Sequence, residues 1–425
     1  MSTTSTRETS RPGVASGAAA RLMRRCKVLA QCTEKSGEIL RTFLSPAMDE
    51  AHRAMGPWME AAGMSVAVDR AGNLRGLYPA EGSEDAPRVL IGSHLDTVPN
   101  AGAYDGVLGV LMGLALVEAS GGRKYPFAIE VLGFSDEEGT RFGAPFLGSR
   151  ALVGELEGSL LECVDGNGVS VAEALAEYAT RRPETVEANL SVKSAAYLEF
   201  HIEQGPVLES RSLALGIVEG LAGQSRSSVE FGGKAGHAGT NPMKLRRDAL
   251  VGAAEWIAGV EAIAERFENG VATVGQIVAE PGGVNVIPGV VRCSLDVRHA
   301  EDAVRDAMVQ AIFDEAQVVA ARRGLQVEAA QYHEHPAVRL DAGLAELTER
   351  VAGQAGYATI RMTSGAGHDA MVIAPHVPSA MVFLRNPGGI SHHPDESVAE
   401  EDVAAAIHTG LCFLDEFATY VKGKD

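Results

Sequence analysis

The sequence has little of several features that mark particular classes of protein. Basic residues are few: Lys and Arg number 37 against 56 acidic residues, which gives a formal net charge of −19. An acidic excess of this size repels phosphate backbones and anionic lipid headgroups, so it argues against nucleic acids and membrane surfaces as partners. The cysteines are scattered and form no CxxC pair, which indicates free structural thiols in a reducing compartment.

Long hydrophobic runs are missing as well. The longest, residues 106–117, ends at Glu118 and is too short and too rich in glycine to span a bilayer. Residues 1–17 are rich in Ser and Thr and lack the apolar segment of a secretory signal. We therefore expect a cytoplasmic protein with a disordered tail over residues 1–20. An arginine-rich transit peptide is the alternative to that tail.

What is present is an alternation of β-rich and helical segments. The runs at 65–69, 88–93 and 127–135 are typical of strands, and residues 106–120 are typical of a helix between them. Such βαβ order predicts an α/β fold with a mostly parallel sheet and flanking helices, in which functional side chains lie at the carboxyl ends of the strands. A helix is also expected over 18–31, after the tail. A second is expected over 45–63, with Ser45 and Pro46 at its start.

At 425 residues the chain exceeds the usual capacity of one hydrophobic core, which favours two domains or a large insertion. From about residue 214 the pattern changes to alternating strands with helices near 242–267 and 300–323, as in an α+β sandwich. We predict that this second domain, residues 214–332, is inserted into a first domain formed by residues 21–213 and 333–425.

Several polar side chains follow predicted strands directly. The strand at 88–93 leads to His94, Asp96 and Asp105, which suit a metal ligand, an acceptor for the other ring N–H of that ligand, and a carboxylate able to bridge two cations. The strand at 127–135 leads to Glu137 and Glu138. In an extended segment adjacent side chains point to opposite sides, so one glutamate could bind metal while the other acts as a general base.

Two more motifs complete this set. Residues 197–209 carry His201, and the glycine- and proline-framed loop at 388–397 carries His392 and His393. Each motif alone is consistent with an ordinary loop or a solvated face. Together they supply the imidazoles and carboxylates that a hydrolytic site with two metal ions needs.

Seven motifs of this chain resemble those of the metal-dependent amidohydrolase family that includes allantoate amidohydrolase, N-carbamoyl-L-amino-acid hydrolase and β-ureidopropionase. In order along the chain they are GSHLDTV, DEEGTRFG, HIEQGPVLE, KAGHAGT, NVIPG, SGAGHDA and GGISHHP. This family is part of the co-catalytic metallopeptidase superfamily. The resemblance covers nearly the whole chain after the first twenty or so residues. It implies a hydrolase that cleaves a ureido C–N bond in a small carboxylate substrate.

The resemblance also implies a role for individual residues. It makes Glu137 the general base and Asp96 the residue that orients the first histidine, and it makes His237 the donor that stabilises an oxyanion and contacts the substrate. His393 stands where relatives often carry Asn or Ser, and Asn241 departs from a frequent Thr. The implied metal ligands are His94, Asp105 and His201 for one ion, and Asp105, Glu138 and His392 for the other. The implied substrate contacts are Gln204, His237, Asn285, Arg298, Gly367 and His368.

The resemblance implies two divalent ions per subunit, Zn²⁺ or Mn²⁺, with Co²⁺ or Ni²⁺ as alternatives. It also implies a homodimer in which the inserted domain acts as lid and dimerisation domain and reaches the neighbouring site. The amino-acid sequences of the motifs favour allantoate as the substrate, which would be converted to ureidoglycine or ureidoglycolate, ammonia and CO₂. The alternatives are an N-carbamoyl-L-amino-acid hydrolase, a peptidase of the wider superfamily, and an inactive paralogue that only binds ligand.

Overall fold

The computed structural model describes residues 11–83 and 85–422. Its strands, in chain order, are β1 (Ser65–Val68), β2 (Leu74–Tyr78), β3 (Arg88–His94), β4 (Ala128–Phe134), β5 (Ser194–Ile202), β6 (Leu215–Leu221), β7 (Gly223–Gly232), β8 (Gly236–His237), β9 (Val271–Thr273), β10 (Ile277–Glu280), β11 (Val286–Ile287), β12 (Val290–His299), β13 (Gln326–His335), β14 (Val338–Arg339), β15 (Thr359–Ser364) and β16 (Ser379–Leu384).

The helices alternate with these strands, as the sequence predicted. They are α1 (Arg11–Leu29), α2 (Pro46–Ala61), α3 (Val107–Ala119), α4 (Leu147–Val153), α5 (Ser159–Glu162), α6 (Val171–Arg181), α7 (Val207–Arg211), α8 (Ala249–Ala264), α9 (Asp302–Arg323), α10 (Ala342–Gln354), α11 (Ala370–Ile373) and α12 (Glu400–Lys422), with short 3₁₀ turns at Met243–Leu245 and Pro387–Gly389. No helix within the described residues is both long and apolar enough to cross a membrane.

The chain divides into two compact units. The first consists of Met1–Glu219, Leu340–Met362 and Gly367–Asp425, and the second of Gly220–Arg339 and Thr363–Ala366. The sequence suggested a change of domain near residue 214. The boundary between the two units lies instead within β6, because the first half of β6 pairs with β16 in the sheet of the first unit.

The sheet of the first unit has the order β1-β2-β4-β3-β5-β16-β6. Its four central strands, β4, β3, β5 and β16, run parallel to one another, and the flanking pairs are antiparallel. All seven residues of β4 are buried, and α3 is buried along almost its whole length. Strands covered on both faces read as continuous apolar runs. The predicted α/β class with a mainly parallel central sheet is confirmed.

The start of the chain differs from the sequence prediction. Residues 11–20 were expected in a disordered tail, whereas α1 begins at Arg11 and buries Ala15, Ala18 and Leu22 in the main core. The helix packs on α3 and α12. The prediction failed because alanines and glycines carry little of the apolar periodicity that marks a buried helical face. The rest of the predicted tail, residues 1–10, lies outside the described residues.

The residues at the start of helix α2 explain why the helix begins there. Ser45 is its N-cap and accepts the N–H of Met48, and Pro46 stands at the first helical position, as predicted. Pro at this position loses no hydrogen bond, because the first N–H groups of a helix have no partner within it. The capped start fixes the helix that buries Met48, Met55 and Met59.

The second unit contains an antiparallel sheet of order β10-β12-β7-β13, with β9 also paired to β12. Helices α8 and α9 pack against it over a core that includes Phe231, Trp256 and Met308. Helix α8 is shorter than the predicted helix at 242–267, because Asp248 caps its start and a 3₁₀ turn occupies Met243–Leu245. The two-stranded pair β8 and β11 sets Val286 opposite His237.

Candidate metal centre

The parallel strands bring distant motifs to one edge of the sheet. His94 is the last residue of β3, and His201 lies near the end of the neighbouring strand β5. Glu137 and Glu138 follow β4, which pairs with β3 on its other side. Because the carboxyl ends of parallel strands share an edge, side chains more than a hundred residues apart converge there.

The first group of candidate ligands is His94, Asp105 and His201, whose ligating atoms lie within 4.8 Å of one another. All three residues are buried. The Nε2 atoms of His94 and His201 are 3.4 Å apart, and Nε2 of His201 is 3.3 Å from Oδ1 of Asp105. The Nδ1 atoms are engaged by backbone carbonyls, of Asp96 at 3.0 Å and Ile202 at 2.9 Å.

This geometry fits a cation. A carbonyl oxygen can only accept, so each Nδ1 carries a proton and each Nε2 is the atom left to ligate. Burial opposes a charged imidazole, yet the neighbouring carboxylates of Asp96, Glu137 and Asp105 raise the pKa of His94 well above its ordinary value. Burial also lowers the pKa of His201 to about 4. His201 is therefore neutral and able to ligate through Nε2, while the carboxylates around His94 favour a positive charge, which a divalent ion supplies.

The second group is Asp105, Glu138 and His392, again within 4.8 Å of one another. Nε2 of His392 lies 3.3 Å from Oδ2 of Asp105 and 3.4 Å from Oε1 of Glu138. Asp105 therefore turns one carboxylate oxygen to each group, as a bridging ligand does. Burial, followed by the charge of Asp105, raises the pKa of Glu138 to about 7.

Glu137 lies on the same edge in a third group, with His94 and Glu138. Its side chain is buried, and burial together with the charge of Glu138 raises its pKa well above the ordinary value. Glu137 is absent from both groups that contain Asp105. This placement is compatible with the predicted general base.

Asp96 has more partners than the predicted contact with His94. Its Oδ1 is 3.5 Å from Nδ1 of His94, while its backbone carbonyl is the closer partner at 3.0 Å. The carboxylate also accepts the backbone N–H of Glu137 at 2.9 Å and of Glu138 at 3.1 Å. Asp96 thus ties the histidine after β3 to the glutamates after β4.

Gln204 adopts a left-handed backbone conformation with φ of 57°. Its Nε2 donates to Oδ1 and Oδ2 of Asp105 at 3.1 and 3.2 Å and to Oγ of Ser391 at 3.1 Å. The predicted substrate contact is therefore brought to the candidate bridging carboxylate. Its Oε1 is buried and has no hydrogen-bond donor among the described residues.

The motif at 364–370 contributes two of the predicted residues to the first unit. The ring of His368 is buried with its centroid 4.4 Å from that of His201, and burial lowers its pKa well below the ordinary value. His368 is therefore a neutral imidazole. A Cβ on Gly367 would come within 2.8 Å of the ring of Phe146, so the position has no room for a side chain.

The remaining predicted residues lie in the second unit. His237 is exposed and its Nδ1 accepts the N–H of Gly239, and Asn285 is exposed and its carbonyl accepts the N–H of Ala238. Asn241 donates from Nδ2 to the carbonyl of His237 at 3.0 Å. The substrate contacts of His237 and Asn285 stay predictions.

Arg298 is held by its own strand. Its Nε and Nη2 donate to the two carboxylate oxygens of Asp296 at 2.8 and 3.0 Å, and its Nη1 donates to the carbonyl of Gly365 at 2.7 Å. The Nε edge of the guanidinium is therefore occupied.

His393 is exposed, and its Nδ1 accepts the N–H of Asp395. It is absent from the three candidate ligand groups of the described chain. That His393 is a neighbour of the site and not a ligand stays a prediction.

Sequence reasoning missed two buried glutamates beside the site. Oε1 of Glu199 accepts from Ser93 at 3.1 Å, and Oε2 accepts from the hydroxyl of Tyr197 and the N–H of Ala370. The carboxylate therefore joins segments next to His94 and His368. The available signal was a glutamate inside an apolar strand, since a buried carboxylate needs several donors. The second is Glu396, whose Oε1 accepts from the backbone of residues 104 and 105.

The chain is similar in sequence and in fold to known proteins. Residues 90–416 match the profile of Peptidase family M20/M25/M40. The chain is 40% identical over 383 residues to the N-carbamoyl-L-amino acid amidohydrolase of Geobacillus stearothermophilus, a match that covers 87% of this chain and 91% of that protein. It is 38% identical over 424 residues to the allantoate deiminase of Arabidopsis thaliana, covering 91% and 79%.

Among solved structures, an amidase of the hydantoinase/carbamoylase family from Burkholderia multivorans superposes with a TM-score of 0.88 at 32% identity, covering 94% of this chain and 98% of that one. The match in sequence and in fold points to one conclusion. The chain belongs to Peptidase family M20/M25/M40, a metal-dependent family, and is an amidohydrolase that acts on C–N bonds.

Proposed function

We propose that the protein hydrolyses the ureido C–N bond of allantoate, with two divalent ions held by the two groups that share Asp105. The observation that carries the proposal is that Asp105 directs Oδ1 towards His201 and Oδ2 towards His392. Zn²⁺ or Mn²⁺ is the proposed metal, with Co²⁺ or Ni²⁺ as alternatives, because imidazole and carboxylate ligands suit all four.

When bound, the two ions would polarise the ureido carbonyl and acidify the attacking water. Glu137 removes a proton from that water as its oxygen bonds to the ureido carbon. His237 donates to the developing oxyanion. The C–N bond then breaks, Glu137 returns the proton to the departing nitrogen, and the carbamate released decomposes to ammonia and CO₂.

We assign the carboxylate of the substrate to Arg298. Asn285 and Gln204 bind the amide groups of the substrate. Because Nε of Arg298 is bound to Asp296, the carboxylate is expected at the edge between Nη1 and Nη2. A planar guanidinium pre-oriented in this way binds a carboxylate with little loss of rotamer entropy. His368 is proposed as a further substrate contact, with the side-chain-free position Gly367 beside it.

The relatives support two candidate substrates. Allantoate deiminases of rice, Arabidopsis thaliana and soybean are 37–38% identical to the chain over more than 90% of its length, which supports allantoate. N-carbamoyl-L-amino acid amidohydrolases of Geobacillus stearothermophilus and a Pseudomonas species are 40% and 38% identical, which supports N-carbamoyl-L-amino acids. Both compounds carry a carboxylate beside a ureido group, so the same contacts serve either.

Ammonia release from allantoate and from N-carbamoyl-L-amino acids, measured on protein of known Mn²⁺ or Zn²⁺ content, tests the proposal. We expect a higher kcat/KM for allantoate and no turnover by metal-stripped protein. A higher kcat/KM for a carbamoyl amino acid would replace the substrate. Failure of protein loaded with two ions to turn over any ureido acid would indicate a binding protein.

We propose a homodimer as the assembly. Within the sheet of the second unit, β13 is a terminal strand that pairs with β7. A free edge of this length is available for pairing with another chain. Sedimentation at micromolar concentration is expected to give twice the mass of the chain, and a monomer would contradict the assembly.

A further inference from the structure

Glu396 is a buried carboxylate with an unusual pair of partners. Its Oε1 accepts the backbone N–H of Tyr104 at 2.8 Å and of Asp105 at 3.0 Å, across more than 290 residues of sequence. The residue is 5% exposed, and Oε2 is buried without a hydrogen-bond donor among the described residues. The hydrogen bonds of this carboxylate therefore go to the segment that carries the candidate bridging ligand.

The backbone on both sides of this contact packs closely around Glu396. A Cβ on Gly102 would clash with the Cβ, Cδ and Oε1 of Glu396, so the segment before Asp105 closes directly on the carboxylate. At the other end, the N–H of Glu396 donates to the carbonyl of His393 at 3.0 Å, which makes a turn just after His392. One side chain thus connects the segments of two candidate ligands of the same ion.

We infer that Glu396 is a positioning residue that sets the spacing between Asp105 and His392 and so forms the second ion site. Nε2 of His392 lies 3.3 Å from Oδ2 of Asp105, and both side chains are carried by backbone that Glu396 joins. Groups that hold metal ligands in place typically contribute about 10–100-fold to metal affinity. The inference rests on the proposed function, because it assumes that ions bind these groups.

Titration of metal-stripped protein with Mn²⁺ in a calorimeter tests this inference without any substrate. We expect wild type to take up two ions. Because Asp105 belongs to both groups, Glu396→Ala is expected to bind the second ion, or both ions, about 10–100-fold more weakly than wild type. Glu396→Gln keeps an oxygen that can accept both N–H groups, and it is expected to restore most of that affinity.

The matched control is Asp248→Ala. Asp248 also accepts two backbone N–H groups, those of Leu250 and Val251, but it caps α8 in the second unit. Its loss is expected to lower the melting temperature and to leave both Mn²⁺ affinities unchanged. Glu396→Ala binding both ions with wild-type affinity, with only its melting temperature lowered, would reduce Glu396 to an ordinary fold contact and overturn the inference.

Gly102→Ala is a second variant, for use where Glu396→Ala does not fold. The added methyl displaces the carboxylate of Glu396 without changing that residue, so the second ion should again bind more weakly. Unchanged binding of both ions by Gly102→Ala would overturn the inference. A wild type that takes up no ion would overturn the proposed metal centre and the inference with it, whereas two bound ions without turnover would count against the proposed function alone.

Discussion

The backbone N–H of Glu137 donates to Oδ1 of Asp96 over 2.9 Å. The next N–H along the chain, that of Glu138, donates to Oδ2 of the same carboxylate over 3.1 Å. Two adjacent glutamates repel each other, and both lie beyond Phe134, the last residue of β4 that pairs with β3. A buried carboxylate that accepts both N–H groups fixes the backbone that carries the predicted base and the predicted ligand.

Asp96→Asn tests this role. An asparagine side chain offers a single acceptor oxygen, so one of the two backbone bonds is lost while the shape of the side chain is kept. We expect metal affinity or kcat to fall about 10–100-fold. Calorimetric Mn²⁺ titration and steady-state kinetics measure both, and wild-type values for each would show that the two bonds do not position the glutamates.

Glu137→Gln tests the general base. The amide cannot take up a proton at neutral pH, so we expect kcat to fall about 10²–10⁴-fold. The metal content should persist, because Glu137 is absent from both groups that contain Asp105. Glu138→Gln is the paired control and is expected to lose one ion. Near wild-type turnover by Glu137→Gln would assign proton transfer to another group.

Arg298→Lys tests the carboxylate contact. A lysine ammonium is a point charge and cannot bind Asp296 with two nitrogens while it offers two more to a substrate. We expect KM to rise and kcat to change little, which is the result of losing a contact made equally in the ground state and the transition state. Initial rates over a range of allantoate concentrations measure the two constants. An unaltered KM would remove Arg298 from the substrate site.

The sequence predicts the residues of the site better than the contacts between them. Motifs after strands identified His94, Glu138 and His201 because parallel strands share an edge at their carboxyl ends. Nothing in the local pattern pairs residue 396 with residues 104 and 105, since that contact depends on the path of the C-terminal segment. The first turns of α1, residues 11–17, were missed for a related reason, because their small side chains gain their stability from packing and not from local pattern.

His52 provides a prediction about stability and not about catalysis. It lies on α2 at 4% exposure, and neither ring nitrogen has a hydrogen-bond partner among the described residues. Burial, and then the charges of Arg182 and Arg41, lower its pKa to about 3. In the unfolded chain the ring titrates at its ordinary pKa near 6.5. Between pH 6.5 and pH 3 the unfolded state therefore binds a proton that the folded state does not, and the free energy of unfolding falls as the pH falls.

Between pH 7 and pH 5 this linkage costs about 2 kcal/mol, since about 1.5 pH units below the ordinary pKa contribute about 1.4 kcal/mol each. His52→Leu cannot take up the proton in either state, so its loss of stability over that range should be smaller by this amount. Urea unfolding followed by the fluorescence of Trp58, which is also on α2, measures it in a Trp256→Phe background. If the pH dependence of the variant equals that of the wild type, acid does not act on this unit through His52.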